Sequence, residues 1–471
     1  MRKRFYITTT LPYVNAEPHV GHALEFIEAD VQARYHRQLG EKVYLNTGTD
    51  EHGLKIFRKA QEQGIDVQKY CDNQAGIFFD LKRILNFSFD NFIRTTDDHH
   101  IIAAREFWHR CKKNGDIYKK IYKVKYCVGC ELEKTESDLE DGKCPIHPNL
   151  ILEIIEEENY FFRFSKFQKP LLALYKKNPD FVIPNFRLNE IQAFVERGLE
   201  DFSVSRLKSK MPWGIEVPDD SEHVIYVWFD ALINYVSAAG WPADMKKFKS
   251  WWPVVQLAGK DNLRQQSAMW QAMLMSAKIP PSKQIFINGF INVAGQKMSK
   301  SLGNVISPYD MVERFGTDGT RYLLLSFGNY GEDMDVSWKK FTEKYNADLA
   351  NGLGNLVSRV IKLVEKEKIP QQKTKDRFKK DFNKLISAME LGQALDYIWR
   401  IIRADNKYIE DNKPWELAKK NPKKFKKVMG KLLTDLGELS FLLEPFLPET
   451  AEKIKKALKS KKAEPLFQRI K

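Results

Sequence analysis

Long apolar runs are missing from this sequence. No stretch reaches the roughly 18 consecutive apolar residues that a membrane-spanning helix needs, so no span is expected. The first residues, MRKRFYITTTLPY, include basic side chains but neither an apolar core segment nor a small-residue cleavage site. They read as a first strand and not as a secretory leader. Cysteine is scarce: five residues, an odd number, three of them gathered at Cys127, Cys130 and Cys144. That usage fits a reducing cytoplasm and a metal-ligand set better than a disulfide framework, and it leaves Cys71 and Cys111 as buried, unpaired thiols. No internal repeat of solenoid length is present.

Aromatic side chains and lysine, by contrast, are plentiful. Phe, Tyr and Trp make up 12% of 471 residues, enough for large cores, and this length suggests about three domains. The net formal charge is +14 and it is unevenly placed. Residues 346–471 hold 29 Lys+Arg against 17 Asp+Glu, a net of +12, which leaves +2 for the first 345. A nearly neutral body with a basic C-terminal region either meets a polyanion there or carries a solvated lysine-rich surface.

Along the chain, RFYITTT (4–10) reads as a strand, His19 to Leu39 as a helix and KVYLNTG (42–48) as a second strand. Helical patterns follow at about 55–64, 67–86 and 99–114. This is the grammar of a parallel sheet. Residues 117 to about 165 break it: YKKIYKVKYCVGC alternates like a hairpin and a cysteine cluster follows. A helical pattern occupies 188–197. Sheet grammar resumes at VVQLAG (254–259), a helix over about 262–277 and QIFINGF (284–290), so the sheet is split by an insertion of about a hundred residues. Ser307 is an N-cap candidate with Pro308 at the first helical position. Beyond about residue 343 only helices are expected, as a bundle.

Two short motifs carry the chemistry. EPHVGHAL (17–24) places His19 and His22 around Gly21 where the first strand ends and a helix begins. Paired histidines can hold a metal, but no third ligand stands close. A helix N-terminus at the edge of an open α/β sheet favours phosphate instead. Gly21 leaves room for a bulky group against the backbone. GQKMSKSLGNV (295–305) then follows a late strand and sets Lys297, Ser299, Lys300 and Ser301 on a loop flanked by Gly295 and Gly303. Mobile lysines suit charge that builds transiently on an α-phosphate and a leaving pyrophosphate. A third cluster pairs CVGC (Cys127, Cys130) with CPIH (Cys144, His147). Two tight turns giving two ligands each are how a closed tetrahedral zinc site is built; the alternative is four unrelated residues.

HVGH after strand one together with KMSKS after a late strand resembles the class I aminoacyl-tRNA synthetases, and within them the methionyl-tRNA synthetases, over essentially the whole chain. The resemblance implies a Rossmann-type α/β parallel sheet split by a zinc-knuckle insertion and followed by an all-α anticodon-binding bundle. The expected division is 1–115 and 211–315 for the two sheet halves, 116–210 for the insertion with its knuckle at 127–147, 316–345 for a stem-contact linker and 346–471 for the anticodon domain. The implied reaction is ATP-dependent activation of L-methionine and its transfer to the 3′ end of tRNA(Met), for initiation and elongation alike. Val20 stands where the family usually has isoleucine and is expected to face the core.

By the same resemblance, His19, Gly21, His22, Gly259, Asp261, Lys297, Ser299 and Lys300 bind ATP, with His19, His22, Lys297 and Lys300 catalytic. Asp50 of TGTDEHG either binds an α-ammonium group or caps the next helix, and the resemblance favours the ammonium. Leu11, Tyr13, Trp228, Ala231, Leu232 and Tyr235 are implied to line the methionine pocket, although Trp228 and Tyr235 read by themselves as core residues. Arg206 and Trp270 match family positions near the site. The chain departs from the pattern at Asn262, where an apolar residue is usual, and at Gln265 and Gln266, where Phe-His is usual. These amides make the pocket more polar, which predicts an altered response to methionine-mimicking inhibitors; equal potency here and on a Phe-His enzyme would sink the expectation. The family's knuckle holds one structural Zn2+, here with His147 as fourth ligand, and Mg2+ accompanies ATP. Asn355, Arg359 and Trp415 correspond to anticodon readers, with the basic charge holding tRNA phosphates. Nothing matches the dimer-forming domain that many relatives append, so a monomer is expected.

Overall fold

The computed structural model describes residues 3–134, 138–298, 303–365, 367, 369, 378–462 and 464–471. Its centre is a six-stranded parallel sheet in the order Asn91–Arg94, Lys42–Thr49, Arg4–Thr8, Val255–Gly259, Gln284–Asn288, Val182–Ile183. The first strand, RFYIT, is buried along four of its five residues, as a strand covered on both faces must be. Phe5 lies opposite Val43, and Ile7 opposite both Leu45 and Val255. From that strand the chain builds outward on one side, leaves the sheet, and returns on the other side. The strand order therefore reverses at Arg4–Thr8, and the crevice beyond its carboxyl end is where such sheets bind ligands.

Two edge strands were not anticipated: NFIR and the pair Val182–Ile183 are too short for any periodicity to declare them. The alternating segment at 117 does form a strand, Ile117–Cys127, but its main partner is distant. It runs antiparallel to Glu153–Phe162, from Ile117 opposite Phe162 to Tyr126 opposite Glu153. The cysteine cluster sits at the far tip of this hairpin. The helix expected over 262–277 is irregular. A 3-10 turn at Lys260–Asn262 and a π-helical turn at Gln265–Met269 precede regular helix at Trp270–Ser276. Single π turns of this kind recur at functional sites. Ser307 accepts from the Tyr309 N–H and caps the helix Pro308–Leu325, which breaks at Gly316, where φ is +71°.

The C-terminal helices pack directly on the sheet's first half. One apolar core runs from Phe26 and Tyr35 on the first helix to Phe382, Leu436 and Phe446. A fully buried cation ties the seam: Arg321 pairs with Asp30 at 2.8 Å and donates to the carbonyls of Phe446 (2.7 Å), Leu85 (3.0 Å) and Pro445 (3.0 Å). Asp30 also holds Arg34 and the Ser88 N–H, so it keeps partners if Arg321 is lost, whereas three carbonyls do not. Arg321→Met is therefore expected to cost about 3 kcal/mol in a urea titration; a loss below about 1 kcal/mol would show that the carbonyls find other donors. No helix among the described residues is long and apolar enough to cross a membrane.

Candidate active site

The crevice at the strand reversal holds a cavity of about 790 Å3. His19 is the N-cap of the helix Val20–Gln38, and its Nδ1 accepts from the Gly21 N–H at 3.1 Å. His22 answers with its own Nδ1, which accepts from the His19 N–H at 3.3 Å. The two rings stack 3.9 Å apart. With both Nδ1 atoms accepting, each ring carries its proton on Nε2, and both residues line the cavity. Burial of the His22 ring, and then the charge of His19, hold its pKa well below the ordinary histidine value. The pair thus forms a donor set, with His22 held neutral, at the positive end of a 19-residue helix. A Cβ on Gly21 would lie 2.8 Å from His19 Cε1. A side chain at Gly21 would meet the His19 ring, so glycine permits the cap, and Gly21 itself lines the cavity. Val20 is fully buried, as expected.

Lys297 lines the same cavity, with Nζ 4.7 Å from the Phe290 ring centroid. The main chain after the lysine loop returns to the helix: Val20 N–H donates to Ile306 O at 3.0 Å. Ser299 and Lys300 lie outside the described residues. Gly259 and Asp261 line the same cavity, and a Cβ on Gly259 would come within 2.7 Å of Asp261 Oδ1, so glycine is what lets that carboxylate fold back. Glu25, which the sequence reading passed over, accepts from Thr10 N (2.6 Å) and Thr10 Oγ1 (2.7 Å). Burial pushes its carboxyl up to about 8, so at neutral pH it is largely protonated and does not repel an anion at the helix end.

At the other end, Leu11, Tyr13, Asp50, Trp228, Ala231, Leu232, Tyr235, Asn262 and Gln266 all reach the cavity wall. Asp50 is 7% exposed, and its Oδ1 is buried with no hydrogen-bond partner. Nearby Asp230 differs: its two oxygens take His52 Nδ1 at 2.6 Å and His100 Nε2 at 2.8 Å. Asp50 is thus the carboxylate left to meet a cation. Two expected residues do not reach the cavity. Trp270 is fully buried behind Tyr235, 5.8 Å between centroids, because the π turn before it rotates it into the core. Arg206 is bound to Ser203 Oγ (2.6 Å) and Ser205 O (2.7 Å) and lies against the Tyr226 ring.

The knuckle forms part of the roof. Gly129, Cys130, Glu131, Ile146 and His147 line the cavity. Glu131 Oε1 accepts from Tyr13 Oη and from Lys55 N, each at 2.9 Å. No local signal in the sequence marks Glu131, since its partners are over seventy residues away. One ligand atom each from Cys127, Cys130, Cys144 and His147 lie within 4.8 Å of one another. Cys130 Sγ is 3.4 Å from Cys144 Sγ, near the roughly 3.7 Å edge of a tetrahedron with 2.3 Å metal–sulfur bonds, so the donor set could hold a metal ion. A Cβ on Gly129 would strike the His147 ring at 2.5 Å, which explains a glycine between the two cysteines.

On the helical region, Asn355 and Arg359 stand one turn apart on the helix Asn355–Val364. The Arg359 guanidinium lies 5.8 Å from the Trp415 ring and pairs with Glu410 at 2.7 Å. Trp415 is 42% exposed, an unusual place for a tryptophan without a ligand. Two sequence regions therefore meet where Arg359 lies against Trp415.

Known proteins resemble this chain over most of its length. The family described as "tRNA synthetases class I (M)" matches residues 5–149 and 133–361, and "Anticodon binding domain of methionyl tRNA ligase" matches residues 360–468. The methionine–tRNA ligase of Thermotoga maritima is 42% identical over 471 residues, covering 96% of this chain and 74% of its own. That of Synechocystis is 41% identical over 472 residues, covering 96% and 88%. The Mycobacterium tuberculosis methionyl-tRNA synthetase in complex with methionyl-adenylate superimposes with a TM-score of 0.90 at 37% identity, covering 96% of this chain and 93% of that one. Likeness at this level extends through the sheet, the insertion and the helices alike, and the chain belongs to the methionyl-tRNA synthetase family.

Proposed function

We propose that this chain charges tRNA(Met) with L-methionine in two steps within the one cavity. The observation that carries the reading is the pairing of opposite demands: imidazole donors and Lys297 in one cavity with a buried Asp50 whose Oδ1 has no hydrogen-bond partner. The α-ammonium group sits at Asp50. The methionine carboxylate attacks the α-phosphate of ATP, a P–O bond forms, and the bond to pyrophosphate breaks. His19 and His22 donate from Nε2 to the phosphates, and Lys297 with Lys300 takes up the charge that grows on the leaving group. Asp261 and Gly259 hold the nucleoside. A ribose hydroxyl at the tRNA 3′ end then attacks the acyl carbon, releasing AMP.

Four ligands leave no open position in the knuckle, so Zn2+ there would be structural, and Glu131 would pass its placement to Tyr13. Mg2+ enters with ATP. The work belongs to the cytoplasm, where tRNA is charged. Asn355, Arg359 and Trp415 read the anticodon by edge contacts and stacking. Trp415→Ala is expected to raise KM for tRNA(Met) roughly tenfold or more while leaving adenylation unchanged, since a stacked base is worth about 1–3 kcal/mol. An unchanged KM would remove Trp415 from the interface. The test of the whole reading is exchange of pyrophosphate into ATP with each of the twenty amino acids. Methionine alone should support it. Exchange with another amino acid would overturn the pocket, and exchange with none would favour a tRNA-binding protein without catalysis.

A further inference from the structure

Residues 413–427, KPWELAKKNPKKFKK, hold seven lysines against a single glutamate. They span the helix Pro414–Lys420 and the first turns of the helix Pro422–Leu443. Phe425, Val428 and Met429 are buried, which turns Lys423, Lys424, Lys426 and Lys427 outward, and all four are exposed. Lys419 is exposed as well and stands one helical turn from Trp415 on the same face. Lys420 pairs with Glu416 at 3.1 Å and so takes up the one acidic side chain of the stretch. Among the described residues, Lys419, Lys423, Lys424, Lys426 and Lys427 have no ion pair.

Local physics opposes this placement. The first turn of the helix Pro422–Leu443 contains no acidic residue, and its N-terminus is the positive end of the helix dipole, where cations are unfavourable. Lys423 with Lys426, Lys423 with Lys427 and Lys424 with Lys427 are like charges three or four residues apart, and each such pair destabilises a helix. The helix Asp98–Lys113 shows the ordinary arrangement, with Arg110, Lys112 and Lys113 in its last turn. A surface that repels itself in the free protein is relieved when a polyanion lies against it.

We infer that these five lysines hold the sugar–phosphate backbone of the tRNA anticodon stem while Trp415 and Arg359 meet the loop. The surface is continuous. The Arg359 guanidinium lies 5.8 Å from the Trp415 ring, Lys419 follows Trp415 by one turn, and the helix bearing the other four lysines starts just past Lys420. Phosphate contacts fix the register and orientation of a nucleic acid without reading its sequence, so the lysines set the stem where loop bases reach Trp415. An acidic protein would match the sign of the charge, but an exposed aromatic ring beside cations suits unstacked bases. The inference rests on the anticodon reading above and extends it from the loop to the stem.

The test is binding of tRNA(Met) to the full chain between about 50 and 200 mM KCl, with and without the combined changes Lys423→Gln, Lys426→Gln and Lys427→Gln. The slope of log affinity against log salt should become shallower by about 2–3, and binding at the low-salt end should weaken about tenfold or more. The preference for tRNA(Met) over a tRNA with another anticodon should stay within about twofold, whereas Trp415→Ala should narrow it. Because the lysines repel one another, the urea midpoint of the triple variant should hold or rise. The same charge change at Lys113, Lys246 and Lys249, exposed lysines outside the helical region, should leave the slope nearly intact. An unchanged slope in the triple variant would leave an ordinary solvated surface and overturn the inference, and so would an equal loss in the control. Failure of the unaltered chain to prefer tRNA(Met) would instead overturn the anticodon reading on which it rests.

Discussion

Lys297→Ala is expected to lower the rate of methionine-dependent pyrophosphate exchange by about 10²–10³ while leaving KM for methionine within about threefold. Lys297 is exposed on a short strand, Gln296–Lys297, so its removal should not disturb folding. It lines the cavity, and in the proposed reaction the charge it meets develops only as the bond to pyrophosphate breaks. That is why the loss should fall on kcat. The histidines allow a sharper version of the same experiment. His19 is both a donor and a helix cap, so His19→Ala confounds a rate loss with about 1 kcal/mol of stability. Asparagine is a good N-cap, and His19→Asn should keep the thermal midpoint while losing a similar factor in rate. A loss below about tenfold in both Lys297→Ala and His19→Asn would show that the donors hold the phosphates without stabilising the transition state.

Asp50→Asn should raise KM for methionine by roughly 30-fold to 10³-fold, the cost of removing one partner of a buried charged pair. Asp230 cannot substitute, because His52 and His100 occupy both of its oxygens. The pH dependence carries the same message with a defined sign. Burial first, then Asp230 and Glu131, hold the Asp50 carboxyl well above the ordinary carboxylate range. In the free enzyme the proton therefore stays on Asp50 to a higher pH than usual. An arriving ammonium must displace that proton, so methionine should bind more tightly as pH rises through this raised range and level off above it. Asparagine has no proton to lose, and the slope should vanish. A retained slope in Asp50→Asn, or a KM within about threefold of the unaltered chain, would move the ammonium site elsewhere.

Legibility differed from element to element. His19 and His22 were readable because cap, glycine and histidine sit within four residues, and a helix start is a local event. The knuckle was readable because its ligands come in two tight turns with fixed spacing. That Gly21 also makes room for the His19 ring was not readable, since it depends on a rotamer that spacing does not specify. The helix at 262–277 was seen, but not its π turn, because one extra residue per turn leaves no mark on apolar periodicity over so short a span. That turn is what sends Trp270 into the core and brings Gln265 and Gln266 to the wall.

The sequence by itself determined the split parallel sheet, the two short motifs proposed to meet ATP, the candidate metal-ligand set and the basic helical region, because each is written in neighbouring residues or in a period. Only the tertiary structure decided which carboxylate keeps a buried oxygen without a hydrogen bond, that Glu131 on the knuckle reaches Tyr13, and that Arg321 seals the sheet to the helices. These facts join residues from tens to hundreds of positions apart. Burial and hydrogen-bond satisfaction are properties of the folded volume, and no local pattern records them.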